Sequence, residues 1–148
     1  LLLNAGSEFE FRYFLWRDVV SASAQRTIEG FGWIGYWRGD IPPFAALRTF
    51  SGPHQSALNA YLDVLLQLGI VGLFSFIALV GLALVRSWLL GANRRSINFV
   101  WLALITLLLV IVSAAESFAL VEFGWLTLVI CILKASQDLS WRARLGDR

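Results

Sequence analysis

The chain of 148 residues contains no methionine, one cysteine and one histidine. A solitary Cys131 excludes an internal disulfide and any cysteine-based metal site. With His54 the only imidazole and no clustered carboxylates, no zinc or di-iron ligand set is present, and no metal or other cofactor is expected. Neither a Gly-x-Ser-x-Gly elbow nor a P-loop occurs. Charge is also scarce: 15% of residues are charged, and a formal net charge of +2 is too small to argue for a nucleic-acid partner. No basic n-region precedes Leu1-Leu2-Leu3, so no signal peptide is read. Together with the missing methionine, this leads us to expect a fragment, inactive alone, whose missing N-terminal spans complete the working protein. There is no internal repeat and no low-complexity tract.

What the sequence has in quantity is apolar surface, with 58% hydrophobic residues and a mean hydropathy of +0.70. Residues 64–85 and 96–115 contain no Asp, Glu, Lys, Arg or His, and about 20 apolar residues cross the hydrocarbon core of a bilayer. Both read as spans. A third stretch, 118–133, carries Glu122 near its start and is shorter, but reads as a span too. The expected class is therefore all-α: a polytopic integral membrane protein fragment with about three transmembrane helices and a large extracytoplasmic loop containing helices.

That loop is residues 4–57, aromatic-rich and carrying Arg12, Arg17, Arg26, Arg38 and Arg48. The spacing of Phe11, Phe14, Leu15, Val19, Val20, Ala22 and Ala24 predicts an amphipathic helix over about residues 9–28. Gly30, Gly32, Gly35 and Gly39, then Pro42-Pro43, break further regular structure. Ser51-Gly52-Pro53 reads as a helix start that places His54 inside the next helix. There Leu58, Leu62, Leu65 and Leu66 share one face, while Asn59, Asp63 and Gln67 recur at i, i+4, i+8 on another. Such a helix suits the membrane surface, with Gly69 and Gly72 marking the bend into the first span. The domain division expected is 1–57 for the extracytoplasmic loop and 58–148 for the interfacial helix, the spans and the tail.

Basic residues set the orientation. Arg86, Arg94 and Arg95 lie between the first two spans, and Lys134, Arg142, Arg144 and Arg148 follow the third. Both regions are expected on the cytoplasmic side, which puts the loop and the turn around 115–118 opposite. Trp88 and Trp101 read as interfacial anchors. A basic, aromatic extracytoplasmic loop with one histidine suits an anionic lipid-linked substrate, because arginine forks pair with phosphate oxygens and aromatics pack on sugar or lipid.

The order Arg12-x-x-x-Trp16, then Ile28-Glu29-Gly30-Phe31-Gly32-Trp33-Ile34-Gly35-Tyr36-Trp37, then His54 and Asn59-x-Tyr61-Leu62-x-x-Leu65-x-x-x-Gly69-x-x-Gly72-Leu73 resembles the O-antigen ligase and O-antigen polymerase superfamily. The likeness covers nearly the whole chain, including Glu116-Ser117, and its most specific part is the Asn-x-Tyr-Leu…Gly-x-x-Gly-Leu run. It implies a many-spanned bacterial inner-membrane enzyme whose large late periplasmic loop bears the active site. The implied reaction moves a glycan from an undecaprenyl diphosphate carrier to a lipid or glycan acceptor hydroxyl, with inversion and without a metal. Arg12 matches the family's loop arginine and neutralises the leaving diphosphate; His54 takes the part of the base. Trp16, Arg48, Asn59, Tyr61 and Asp63 are the expected substrate-binding residues.

One departure marks this chain. Many members have histidine directly before the asparagine, where Leu58 stands here, and His54 lies four residues earlier. One helical turn separates the two, so His54 either presents its ring on the same face and substitutes spatially or is a loop histidine bonded to a backbone carbonyl. Asp63 is the alternative base. Glu116 and Glu122, at the outer span ends, are carboxylates that can orient substrate; a helix's first turn accounts for Glu122 more simply. Competing readings are a polysaccharide transporter or export component, which the few interruptions in the spans (Ser75, Gly81, Thr106) speak against, and a noncatalytic assembly partner.

Overall fold

The computed structural model describes residues 2–49, 52–94, 97–117 and 122–138, without the side chains of residues 2–8, 48–49, 52–53, 93–94, 122 and 137–138. Their regular structure is helical apart from one two-residue antiparallel pairing, and residues 27–43 and 54–59 are turns or irregular. Helix α1 spans Leu2–Ser23 and continues as a 3-10 turn, Ala24–Arg26. A second 3-10 turn, Phe44–Ala46, leads into β1 (Arg48–Thr49), which pairs with β2 (Gly52–Pro53) in the register Arg48↔Pro53. Helices α2 (Ala60–Arg94), α3 (Ile97–Ser113) and α4 (Glu122–Asp138) follow.

The chain forms two compact units. One comprises the described residues up to Phe74 together with Ala114–Ser117; the other contains the rest. In the first, α1 buries Leu15 and Val19 completely, and these meet Trp37, Phe44, Leu47, Ala57 and Leu66, with Phe11, Ala22, Phe31, Leu58 and Leu62 packed around them. The apolar spacing along α1 predicts this face, although Phe14 and Val20 lie outside it and are exposed. Burying a side chain the size of leucine contributes about 1.5–3 kcal/mol, and the first unit has such a core, built from the loop together with Leu62 and Leu66 of α2.

The expectation that a helix starts at Pro53 is not met. Gly52 and Pro53 are strand, residues 54–59 are irregular, and the helix begins at Ala60. The reason is a stronger cap: Asn59 Oδ1 accepts the N–H groups of Tyr61 (3.0 Å) and Leu62 (3.2 Å), satisfying two donors of the first turn. His54 therefore precedes the helix, and the one-turn relation between His54 and position 58 does not hold.

The bend expected at the glycines is at Gly69, where α2 is interrupted by φ 67° and ψ −166°, a conformation essentially reserved for glycine. The interruption exposes backbone groups that the loop then uses. Phe31 N–H donates to Leu66 O (3.1 Å), Gly32 N–H to Gln67 O (2.8 Å), and Ile70 N–H to Thr27 O (2.8 Å). Contact is so close that a Cβ on Gly30 would lie 2.5 Å from the Gln67 carbonyl, and one on Gly69 would collide with Ile28 O.

In the second unit the buried positions of α2 are Phe76, Val80, Ala83, Ser87 and Leu90, alternating steps of four and three, as in a helix-packing seam. Helix α3 packs against α4, with Ala103, Thr106 and Leu109 buried on one and Leu128, Cys131 and Ala135 on the other. Among the described residues one helix, over Ala60–Ala92, is long and apolar enough to cross a membrane, with a mean hydropathy of 2.7 in its apolar window. Helices α3 and α4 are apolar but, at 17 residues each, shorter than that length criterion.

Candidate functional site

Arg12 and Trp16 stand one turn apart on α1 and grip the same irregular segment ahead of α2. The Trp16 indole N–H donates to Ala57 O (2.8 Å), and Arg12 Nη1 donates to Leu58 O (3.4 Å). Arg12 also reaches the turn between α3 and α4, donating through Nη1 to Ala115 O (2.5 Å) and through Nη2 to Glu116 Oε1 (2.8 Å). Leu58, between these grips, has φ 51°. Holding a branched apolar residue in the left-handed region costs on the order of 1–2 kcal/mol, so the strain lies beside the arginine.

Asn59 serves both sides of the site. Its Oδ1 caps α2 while its Nδ2 donates to Ala114 O (2.9 Å) and its backbone N–H to Ser117 Oγ (3.2 Å). Asp63, one turn on and 2% exposed, accepts the Ala57 N–H at both carboxyl oxygens (3.1 and 3.2 Å) and the Ser117 hydroxyl at Oδ2. Burial pushes the Asp63 carboxyl up to about 6; the Ser117 hydroxyl and the Ala57 N–H pull the other way. The Trp37 indole adds to that pull by proximity, since its buried N–H makes no hydrogen bond. Gln67, the next residue of the stripe, takes the Ile34 (2.8 Å) and Gly35 (3.2 Å) N–H groups on Oε1 and returns a bond to Gly35 O (3.1 Å).

The polar stripe Asn59, Asp63, Gln67 thus does not face a membrane surface as expected: Asp63 and Gln67 are buried in the first unit, where their hydrogen bonds hold loop and turn. An unpaired buried polar group is costly, and here each finds partners supplied by irregular backbone.

His54 lies against α1. Its imidazole and the Phe11 ring have centroids 4.9 Å apart at 55°, next in sequence to Arg12. Partial burial lowers its pKa, which keeps the ring neutral at pH 7 and able to accept a proton. Tyr61 is half-buried at the start of α2, and burial raises its phenol. The side chains of Arg48 and Glu122 lie outside the described residues.

Of the expected residues, Arg12, Trp16, Asn59 and Asp63 share one network. Among the described arginines of the loop, Arg17, Arg26 and Arg38 do not join it. Arg17 pairs with Asp18 and lies over the Phe14 ring, Arg38 pairs with Asp40, and Arg26 covers the Phe31 ring. Among the loop arginines whose side chains are described, the expected ensemble therefore reduces to Arg12. Sequence reasoning missed the parts played by Ser117 and by the carbonyls of Ala57, Leu58, Ala114 and Ala115. Gln67 was visible as the third member of the stripe; Ser117 carries no signal beyond its place after Glu116.

Chemically, the site offers a guanidinium fixed by backbone carbonyls, a neutral imidazole on the neighbouring residue of α1, and a buried carboxyl that titrates near pH 6. No protein-family model matches the chain, and no curated protein or solved structure matches it either, so the resemblance rests on the motifs themselves.

Proposed function

We propose that this protein is a bacterial inner-membrane glycosyltransferase of the O-antigen ligase or polymerase type, with residues 4–57 periplasmic and the C-terminus cytoplasmic. It transfers a glycan from undecaprenyl diphosphate to an acceptor hydroxyl on a lipid or a growing glycan. The observation that carries the reading is the convergence of the motif residues Arg12 and Trp16 on the carbonyls just ahead of the motif residue Asn59, with His54 packed on Phe11, the residue before Arg12. Two stretches about 40 residues apart in sequence supply these groups in the order the resemblance implies.

In this reading the acceptor oxygen bonds to the anomeric carbon as the bond from that carbon to the diphosphate oxygen breaks. The electron pair leaves on the diphosphate, whose charge the Arg12 guanidinium stabilises. The acceptor's proton passes to the neutral His54 ring. A diphosphate is already a good leaving group, so charge stabilisation and one base suffice. Support for the membrane setting is the face α2 presents: only 17% of its apolar window is buried within the protein, whereas a core helix of a water-soluble fold buries most of its apolar side chains.

The test is glycan transfer from an undecaprenyl diphosphate donor by the full-length protein in membranes, compared with Arg12→Ala and His54→Ala at matched abundance. We expect each variant to lose at least about a hundredfold, the lower range for removing a general base. Full activity in Arg12→Ala would contradict the assignment; full activity in His54→Ala alone would move the base to Asp63.

A further inference from the structure

We propose that the Glu116 carboxylate is a resident anion, occupying the place on the Arg12 guanidinium that a diphosphate takes and leaving it when the diphosphate binds. The inference rests on the reading of the site as one that binds a diphosphate. Arg12 is held by two kinds of partner. Leu58 O and Ala115 O are backbone carbonyls that fix the fork in place. Glu116 Oε1, 2.8 Å from Nη2, is the one anionic partner among the described residues, and the two side chains are 28% and 49% exposed. An ion pair this open to water contributes little stability and is readily exchanged. A diphosphate carries more charge than one carboxylate and offers oxygens for two parallel N–H bonds, so it competes successfully for the same donors.

The turn bearing Glu116 does not need this pair to stay folded. Ala114 O is held by Asn59 Nδ2, Ala115 O by Arg12 Nη1, and Ser117 Oγ by Asp63 and the Asn59 N–H. The Glu116 side chain can swing away while the backbone beside it stays tied. This assigns the carboxylate a role opposite to orienting substrate: it closes the arginine when no donor is present, and an anion must outcompete it to enter.

The experiment is inorganic pyrophosphate binding, followed calorimetrically, to the full-length protein in nanodiscs. Wild type is compared with Glu116→Gln, Glu116→Asp and Arg12→Lys. We expect Glu116→Gln to bind roughly three- to fivefold more tightly, the size of effect an exposed ion pair commands. Glu116→Asp keeps the charge but is one methylene too short to hold the pair, so it should tighten binding as well. Arg12→Lys should bind at least about tenfold more weakly. If only Glu116→Gln tightens, the carboxylate merely repels anions from a distance and the proposal fails. Equal affinity in wild type and both Glu116 variants, with Arg12 still required, would overturn displacement while leaving the diphosphate site standing. No pyrophosphate binding by wild type or either Glu116 variant would remove the diphosphate reading itself, and this inference with it.

Discussion

The two units of the chain bury opposite kinds of surface. In the first, Asp63 and Gln67 are buried nearly as completely as Leu15, Val19 and Leu66, and their polar atoms bond to backbone of residues 34–35 and 57 and to the Ser117 hydroxyl. In the second, the buried polar side chains are small: Thr106 Oγ1 donates to Leu102 O (2.8 Å) and Ser113 Oγ to Leu109 O (2.6 Å) on their own helix, while Ser87 Oγ makes no hydrogen bond among the described residues. Beside the buried Phe76, Leu90, Leu109 and Leu128, large apolar residues such as Leu82, Trp88, Leu108, Ile111 and Ile130 are exposed there. Irregular backbone needs side-chain partners and a core to lie on. Regular helices satisfy their own backbone and can turn their apolar faces to hydrocarbon. The difference fits the proposed chemistry in the first unit, where charged groups are held by specific bonds, and the proposed anchorage in the second.

The largest expected effect breaks the first unit at the junction of loop and helix. Gly69→Ala places a side chain in a glycine-only conformation and against Ile28 O. Strain of about 1–3 kcal/mol adds to the loss of bonds around Thr27 and Gln67, each costing about 1–3 kcal/mol when left unmade. We expect on the order of 4 kcal/mol in all, seen as rapid proteolysis within residues 27–35 while unit-two fragments survive.

A smaller effect sharpens the contrast through pH. The folded state holds the Asp63 proton more tightly than the unfolded chain does, since the carboxyl rises from 3.8 to about 6. Its contribution to stability is therefore greatest below about pH 4 and falls as pH rises toward 6, by roughly 3 kcal/mol. Asp63→Asn removes that slope. Chemical denaturation followed by tryptophan fluorescence should show the variant gaining on wild type between pH 4 and pH 6; a constant difference across that range would contradict the account. The smallest effect is at Trp16→Phe, which keeps the ring and deletes the bond to Ala57 O. About 1 kcal/mol should be lost in the same assay, with glycan transfer reduced rather than abolished.

Much of the fold was legible because helices announce themselves locally. The spacing of Phe11, Leu15, Val19 and Ala22 marked α1, and the charge-free stretches marked the apolar helices, with the break at Gly69 flagged by its glycine. The start of α2 was misread because Pro53 is a permissive signal, whereas Asn59 makes two capping bonds that only geometry reveals. The stripe Asn59, Asp63, Gln67 was legible as a pattern but not as an interior, because its partners are backbone groups of residues 34–35 and 57 together with Ser117. Sequence spacing carries no information about such distant carbonyls and amides. For the same reason Arg12 was found by its motif while its pairing with Glu116, 104 residues away, was not.

The central claim is that water solvates the first unit and hydrocarbon the second. The most direct measurement is labelling by a membrane-impermeant maleimide in intact membranes, using Cys131→Ser protein carrying either Tyr36→Cys or Leu82→Cys, both at exposed positions. The account predicts rapid labelling at position 36, and none at position 82 until detergent is added, because a thiol in hydrocarbon neither ionises nor meets the reagent. Equal labelling at both positions in intact membranes would contradict it, leaving both units in water.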